Sequence, residues 1–323
     1  MNNQNSSERW ISMHLYCNMD YFEFSKSVLC FLPRYFAHSD FVKAWFFIRY
    51  IDWGPHARIR FRIDDFVNFE FVERDIFVFL AENCPGLSFT FLKNQFDSLN
   101  KSLVFVDYVD YVPELERYGG IKGIGVSERQ FEISSNFIIS QIDSKKRWNY
   151  EDSLLCAIKM HLVFLRVFEM GKNDAIAFFR LVYSWWSGSA KYSLGIHNID
   201  DSDSVLEELF SKVYSNQRDG IASLIESFYY SLNFSNKVAF PFTSYFNDFI
   251  FVKNELFDLD RAGQLYYDST FSIYGDCNFS NSFYLNHLGL LQSYFHMTNN
   301  RLGIQNHDEA FLGYVLYRGL ADI

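Results

Sequence analysis

The sequence lacks the patterns from which proteins build metal cages, disulfide frameworks and phosphate-binding loops. Its five cysteines, at positions 17, 30, 84, 156 and 277, form no CxxC pair, and its eight histidines include neither an HExxH motif nor a pair four residues apart. Scattered cysteines in odd number are typical of reduced, mostly buried thiols. We therefore expect no disulfide, no structural or catalytic metal and no P-loop chemistry.

Positive charge and long apolar runs are also scarce. The chain carries 29 Lys and Arg against 39 Asp and Glu, a net charge of −10, which argues against a general nucleic-acid surface because such surfaces need clustered bases. The best candidate membrane span, residues 41–48, contains Lys43 and is far shorter than the roughly 18–20 residues that cross a bilayer. The first residues lack the profile of a secretion signal. These absences predict a cytoplasmic protein with no membrane contact and no direct nucleic-acid partner.

Apolar and aromatic residues are abundant instead. They make up 49% and 20% of the chain, with 37 Phe and 21 Tyr, which is enough to bury a large core and excludes wholesale disorder. The length allows one large domain or two small ones. Because no internal repeat or low-complexity linker interrupts the sequence, we expect a single domain over residues 1–323.

The spacing of apolar residues predicts an α+β fold, in which a β-rich part (about residues 9–125) packs with a largely helical part (about residues 126–323). Two runs rich in β-forming residues, 44–50 and 57–63, flank an Asp-Trp-Gly-Pro turn and predict a hairpin within an antiparallel sheet. Further elements of this part are expected as strands at 10–16 and 103–111, a helix at 20–32, and a helix or strand at 68–80.

The helical part is expected to open with a capping box formed by Ser127 and Gln130. In the last helix, Asn306 with Glu309 could serve as a second cap. The helices are predicted at residues 150–170, 173–187, 203–230, 242–257, 280–299 and 306–320.

The most distinctive local pattern is His-Ala-Arg-Ile-Arg-Phe-Arg at residues 56–62. Because alternate side chains of a strand share a face, Arg58, Arg60 and Arg62 are expected on one face, joined by His56, with the apolar residues between them on the core face. Planar guanidinium groups suit carboxylate or phosphate ligands, so the row favours an anion-binding pocket. The alternative is a solvated face paired with nearby acids, of which the candidates are Asp64, Asp65 and Glu70.

A second pattern is Pro-Glu-Leu-Glu-Arg-Tyr-Gly-Gly at residues 113–120. Glu114 and Arg117 are three residues apart and would lie side by side on one helical turn, and the paired glycines permit a backbone turn with positive φ. The alternative is a purely structural salt bridge in a loop. The nearby Gly123-Ile-Gly125 does not support dinucleotide binding, because the third glycine and the surrounding βαβ unit are missing.

The third pattern, His-Met-Thr-Asn-Asn-Arg at residues 296–301, falls near a predicted helix end. His296 could serve there as an acid or base near neutral pH. The alternative is a histidine stabilised by the helix dipole, and Arg301 is explained more simply as a C-terminal helix charge.

In their order along the chain, these segments resemble a known family. WISMHLY, WFFIRYIDWGPHARIR, YVPELERYGG, SERQFEISS and HMTNNRLGI follow one another from about residue 9 onward. The set resembles the C-terminal, glutamate-elimination domain of lantibiotic dehydratases, also described as the thiopeptide-type bacteriocin biosynthesis domain. Since the family's large glutamylation domain has no counterpart here, we expect the stand-alone, split form.

The resemblance implies a lyase that removes glutamate from glutamylated Ser or Thr of a ribosomally made precursor peptide, leaving dehydroalanine or dehydrobutyrine. It implies two partners, the glutamylated peptide and a separate tRNA-dependent glutamylation protein, and it leaves a homodimer open. The residues that match the family's elimination site are Arg58, Arg60, Glu114, Arg117 and His296. Candidate substrate-binding residues in the same motifs are His56, Arg62, Tyr118, Asn300 and Arg301.

The chemistry of β-elimination asks for the same residue types. Removing the Cα proton requires a base, which His296 could supply, and negative charge then develops on the peptide carbonyl, where guanidinium groups stabilise it. Glu114 could orient Arg117 or accept the proton. No metal or organic cofactor is required. The five residues are therefore expected to converge in one pocket.

Two rival functions remain open at this point. One is a relative on the same fold that joins two dehydroalanines by a formal [4+2] cycloaddition to form the central pyridine of a thiopeptide. The other is a non-catalytic subunit that binds the precursor peptide in an aromatic-rich groove. The identity of the precursor, and whether the product is a lanthipeptide or a thiopeptide, cannot be read from the sequence.

Overall fold

The computed structural model describes residues 7–92, 100–230, 240–267 and 279–323. By their internal contacts these fall into two compact units. The first comprises the chain up to Pro113 together with Glu128–Asn149, and the second comprises Glu114–Ser127 together with Tyr150–Ile323. The single domain expected from the sequence stays a prediction, and each unit is described below by itself.

The first unit is built on a five-stranded mixed sheet with strand order β2-β3-β1-β5-β4. All neighbouring strands are antiparallel except β4 and β5, which are parallel. The strands are β1 (Glu8–Tyr16), β2 (Val42–Tyr50), β3 (His56–Asp64), β4 (Ser88–Phe91) and β5 (Leu103–Val109). The predicted hairpin is confirmed, since β2 and β3 pair from Tyr50↔His56 outward.

Helices cover this sheet on both faces. One face packs against α1 (Tyr21–Ser27), a 3₁₀ turn (Leu29–Phe31), α2 (Leu32–His38) and α3 (Phe69–Asn83), where the Phe36 ring lies 4.9 Å from Trp45 and 5.6 Å from Phe61. On the other face, Phe131 of α4 (Gly120–Ser144) lies 5.3 Å from Phe46. Edge strands expose unpaired backbone groups. In the edge strand β2, the backbone N–H of Phe47 donates to the hydroxyl of Ser135 in α4, so a side chain satisfies this group.

The second unit is helical. Its elements beyond α4 are α5 (Tyr150–Val167), α6 (Lys172–Ser193), α7 (Ser202–Ser215), α8 (Arg218–Ile225) with a π turn (Glu226–Tyr230), α9 (Phe240–Arg261), α10 (Ser282–Asn286), α11 (Leu288–Leu302) and α12 (Asn306–Asp322). Helix α12 is buried on nearly all sides, as expected for a central helix. A Cβ at Gly313 would stand 2.7 Å from the Tyr183 backbone nitrogen, so glycine allows α12 and α6 to approach backbone to backbone.

Several predicted elements differ from the structure. Residues 68–80 form a helix, and the chain includes a short strand, β4, that the sequence analysis missed; its parallel pairing makes the sheet mixed rather than purely antiparallel. The helix predicted over 203–230 is divided after Ser215, and the one over 280–299 is divided at His287. The helical spacing of apolar residues continues across these breaks, so the spacing alone does not reveal them.

Both predicted caps are wrong. Ser127 lies buried inside α4, which already begins at Gly120, and its hydroxyl donates to the Gly123 carbonyl. The N-cap of α12 is Gln305 rather than Asn306, and no side chain caps that end. Glu309 faces the interior of the second unit instead of the helix terminus, because its carboxylate is hydrogen-bonded to His296.

Candidate functional site

In the first unit, strand β3 carries a row of arginines on one face, as predicted. Its burial alternates: Ala57, Ile59 and Phe61 are fully buried, whereas the arginines between them are half-buried. The row crosses the middle of the sheet, since β3 lies between β2 and β1. We call Arg58, Arg60 and Arg62 the arginine row.

Each member of the arginine row lies over an aromatic ring. The guanidinium carbon of Arg58 is 3.4 Å from the Tyr50 ring centroid, that of Arg60 is 4.5 Å from Tyr111, and that of Arg62 is 5.7 Å from Trp10. Stacking of this kind holds a guanidinium in place through its flat face and leaves its N–H edges for planar anions. The rings come from three different segments, so sequence spacing gave no signal for them.

Acids accompany the row at its ends and also along α4, where burial raises the pKa of Glu128 and Glu132 and the charge of Arg62 lowers it. Arg58 lies 3.9 Å from Asp52 and Arg62 lies 3.1 Å from Glu8. These are not the acids proposed from the sequence, and Asp64 instead pairs with Lys43 at 3.2 Å. The alternative of a strand face paired with nearby acids therefore stays open, with Asp52 and Glu8 as the paired acids.

Two histidines lie beside the row and carry no charge at neutral pH. His56 donates through Nδ1 to the Gly54 carbonyl at 2.8 Å and accepts from Arg58 Nε at 3.0 Å, and burial, more than Arg58, lowers its pKa. The ring of His14 stacks on it at 5.1 Å. Burial, followed by the charge of Arg58, lowers the pKa of His14 to about 3. His56, which was predicted to bind substrate, thus accepts a hydrogen bond from Arg58 and positions its guanidinium group.

In the second unit, Glu114 and Arg117 form the predicted ion pair, with 3.1 Å between Glu114 Oε2 and Arg117 Nη1. The turn that contains them ends at Gly119 and Gly120, both at positive φ (+85° and +80°), as the sequence predicts. Arg117 also donates through Nε to the Ser293 hydroxyl at 2.8 Å. Because this bond attaches the turn to α11, Arg117 is held from two sides.

His296 lies on the same helix, one turn beyond Ser293, and residues three apart on a helix are neighbours. The Glu114–Arg117 pair is thus attached to the helix that carries His296, one turn before it; a shared site of the three residues stays a prediction. His296 Nδ1 is 2.7 Å from Glu309 Oε1, and its ring stacks on Trp186 at 5.1 Å. Its side chain is 20% exposed, whereas that of Glu309 is fully buried. We call His296 and Glu309 the histidine–glutamate pair.

Two further side chains extend the hydrogen-bond chain from this pair into the interior. Asn299 donates to Glu309 Oε2 at 3.2 Å, and the Asn299 side-chain oxygen lies 2.8 Å from His161 Nε2. Burial raises the pKa of Glu309, against the lowering influence of His296 and Asn299. Burial lowers the pKa of His161 to about 3. The sequence analysis missed this chain, because its members come from three helices.

The other residues predicted to bind substrate in the second unit are buried or half-buried, and their role stays a prediction. Tyr118 is buried, and Arg301 is fully buried with its Nη1 donating to the Met297 carbonyl at 2.9 Å. Asn300 is half-buried on α11. The convergence of the arginine row with the residues around α11 stays a prediction, since the two sets belong to different units.

Within residues 7–92, 100–230, 240–267 and 279–323, no group of three or more His, Cys, Asp or Glu is arranged to hold a metal ion, and no helix is long and apolar enough to cross a membrane. The four described cysteines, at positions 17, 30, 84 and 156, are free and buried, as expected; Cys277 lies outside the described residues.

The fold and the two clusters define an α+β protein with a cationic strand in one unit and a buried histidine–glutamate pair in the other. The family model for the lantibiotic biosynthesis dehydratase C-terminal domain matches residues 10–320, so the chain belongs to that family. No curated protein matches the sequence.

Three solved structures share the fold. TsrL superposes with a TM-score of 0.66 at 14% identity, covering 98% of this chain and 95% of its own. The pyridine synthase TbtD from thiomuracin biosynthesis gives 0.61 at 12% identity, covering 98% of both chains. The tRNA-dependent lantibiotic dehydratase MibB from Microbispora sp. 107891 gives 0.52 at 17% identity; 99% of this chain corresponds to 28% of MibB.

Proposed function

We propose that this protein is a lyase that eliminates glutamate from glutamylated Ser or Thr in a ribosomally made precursor peptide. The observation that carries the proposal is the attachment of Arg117, paired with Glu114, to Ser293 of α11, one turn before His296. Glu114, Arg117 and His296 are the residues of the second unit that match the elimination site of the family.

The proposed reaction breaks the Cα–H and Cβ–O bonds and forms an Nε2–H bond and the second bond between Cα and Cβ. His296 Nε2 takes the Cα proton of the acylated residue, the electron pair of that bond becomes the Cα=Cβ double bond, and the Cβ–O bond breaks. Glutamate leaves as the α- or side-chain carboxylate through which it was esterified. A histidine suits this step because its ordinary pKa lies near neutral pH. The proton can later pass to solvent or to the departing carboxylate.

Two anionic groups need stabilisation during this reaction. Charge develops on the peptide carbonyl as the Cα proton leaves, and the glutamyl group carries a carboxylate of its own. Arg117 is assigned to one of them, and Arg58 and Arg60 of the arginine row to the other. Stacked guanidinium groups fit this task, since their edges accept a carboxylate in bidentate fashion.

The direct test offers the purified protein a synthetic glutamylated peptide and follows the products by mass spectrometry. The expected result is a dehydroalanine or dehydrobutyrine peptide with release of free glutamate, without added metal or cofactor. Arg60→Ala, Arg117→Ala and His296→Ala should each abolish turnover while circular dichroism shows an intact fold. Arg34→Ala is the matched control, because Arg34 is an exposed arginine that lies 4.0 Å from Asp143.

A second candidate is the [4+2] cyclase. It is favoured by the coverage of the structural matches: the chain aligns with nearly all of the pyridine synthase TbtD but with 28% of MibB. At 12% identity that likeness is one of fold. A linear peptide with two dehydroalanines, offered separately, distinguishes the candidates, and turnover of that peptide alone would replace elimination by cycloaddition.

The proposed partners follow from the proposed reaction. The protein receives its glutamylated peptide from a separate, tRNA-dependent glutamylation protein in the cytoplasm, and it needs no nucleic acid itself. The non-catalytic alternative, a peptide-binding subunit, predicts that dehydration by the reconstituted pair survives all three alanine substitutions. Size-exclusion chromatography with light scattering decides whether it acts as a homodimer.

A further inference from the structure

Burying the carboxylate of Glu309 costs more free energy than burying a side chain that serves only in packing would. Its side chain has no exposed surface, and an ionised carboxylate buried in a protein interior loses several kcal/mol of hydration. The carboxylate is nevertheless aimed at one specific atom, His296 Nδ1, at 2.7 Å. A fully buried carboxylate held against an imidazole that is 20% exposed points to a role beyond packing.

The donors around Glu309 assign the proton of His296. His161 is neutral and its Nε2 lies 2.8 Å from Asn299 Oδ1, so its N–H donates to that oxygen. The Asn299 amide group then points its NH₂ toward Glu309 Oε2, at 3.2 Å. With Glu309 ionised, both of its oxygens accept, and a neutral His296 then donates through Nδ1 and keeps Nε2 without a proton.

We propose that Glu309 is a positioning residue that fixes the tautomer of His296, and that Asn299 and His161 fix the orientation of Glu309. For the reaction it serves, this inference rests on the proposed function. Trp186 completes the arrangement, because its indole stacks on the imidazole at 5.1 Å with 22° between the planes and so restricts rotation of the ring. The result is an imidazole whose Nε2 lone pair is ready to accept a proton.

Glu309→Gln separates this role from packing, since it keeps the shape of the side chain. Asn299 still presents its NH₂ to position 309, so the new amide must turn its oxygen to Asn299 and its own NH₂ to His296 Nδ1. Nδ1 then has to accept, and the proton moves to Nε2. The substitution therefore reverses the tautomer and blocks the base.

The first measurement is the tautomer itself, read from the ring ¹⁵N shifts of His296 by NMR, with the signal assigned by its loss in His296→Gln. The wild type is expected to carry the proton on Nδ1, and Glu309→Gln on Nε2. This readout needs no substrate, so it decides the inference even if the protein proves inactive on glutamylated peptide, an outcome that would refute the proposed function alone.

The second measurement is the elimination rate. Glu309→Gln is expected to lower kcat about 100-fold or more with little change in KM, as the wrong tautomer does in a Ser-His-Asp triad. Asp308→Asn is the matched control. It alters the neighbouring carboxylate of α12, which accepts a hydrogen bond from Tyr150, and it should retain the wild-type rate.

A rescue variant completes the test. In Glu309→Gln combined with Asn299→Asp, the carboxylate moves to position 299, where it accepts from His161 and from the new amide, whose oxygen again accepts from His296 Nδ1. The double variant should restore the Nδ1 proton and recover kcat at least tenfold over Glu309→Gln. A wild-type tautomer and rate in Glu309→Gln, or a double variant that stays on Nε2, would overturn the inference.

Discussion

The arginine row and the histidine–glutamate pair hold charge by opposite means. The row places each of its three half-buried cations over its own ring, with acids at the two ends and on the neighbouring helix α4. The pair keeps one anion in the interior by giving both of its oxygens a hydrogen-bond donor. Half-buried cations on a sheet face retain part of their hydration, whereas a fully buried anion is stabilised only by its hydrogen-bond donors. The row is therefore built for exchangeable ligands, and the pair for a fixed geometry.

The largest effect should come from the pair. His296→Ala removes the proposed base and is expected to lower kcat for elimination by about 10³-fold, within the range of general acid–base catalysis. Single-turnover kinetics on glutamylated peptide measure this directly. A loss below tenfold would transfer the role of base to Glu114, the other candidate, and Glu114→Gln should then show the larger loss.

A smaller loss is expected in the row. Arg60→Lys keeps the charge but loses the planar fork and the stacking on Tyr111, so kcat/KM should fall about 10²-fold. Arg62→Lys, at the end of the row beside Glu8, should cost less. If both substitutions leave kcat/KM at the wild-type value, the row contributes only its positive charge, and the planar geometry of the guanidinium groups is not needed.

Acid stability compares one buried histidine from each unit. His14 and His161 have pKa values lowered from 6.5 to about 3, so between these values the unfolded chain binds more protons than the folded one. Each therefore makes the unfolding free energy fall as pH drops from 6.5 toward 3, by about 1.4 kcal/mol per pH unit.

His14→Gln and His161→Gln should each flatten that dependence by the same amount. Urea unfolding at several values between pH 4 and 6 measures the slopes. A slope equal to that of the wild type in either variant would mean that the histidine in question is already protonated in the folded protein.

The smallest expected effect tests the stacking itself. Tyr50→Leu removes the ring under Arg58 but keeps apolar bulk, and a cation–π contact of this kind contributes about 1 kcal/mol. The KM for glutamylated peptide should rise about fivefold with kcat nearly unchanged. A fall in kcat instead would indicate that Arg58 acts on the transition state.

The sequence predicts the row much better than the pair, for a physical reason. A strand alternates its faces with a period of two, so the order Arg-Ile-Arg-Phe-Arg determines the faces of Arg58, Arg60 and Arg62 without any tertiary knowledge. The Glu114–Arg117 pair is equally local, being set by one turn and two glycines. Motif order likewise indicated the family before any fold was known.

Glu309 shows where such reasoning fails. A glutamate three residues into a helix has the same sequence pattern whether it turns back to cap the terminus or faces inward to His296. The choice depends on α11 and α5, which lie against it only in the folded unit. Strand β4 was missed for a similar reason, since its four residues gain their pairing from β5.

The central claim is that His296, held by Glu309, performs elimination on a glutamylated peptide. The most direct measurement is the mass-spectrometric product analysis of the purified protein with a glutamylated peptide and, separately, with a bis-dehydroalanine peptide. Dehydrated peptide and free glutamate are expected in equal amounts from the first substrate, with no such release by His296→Ala. An unchanged glutamylated peptide beside a cyclised bis-dehydroalanine peptide would rule out elimination.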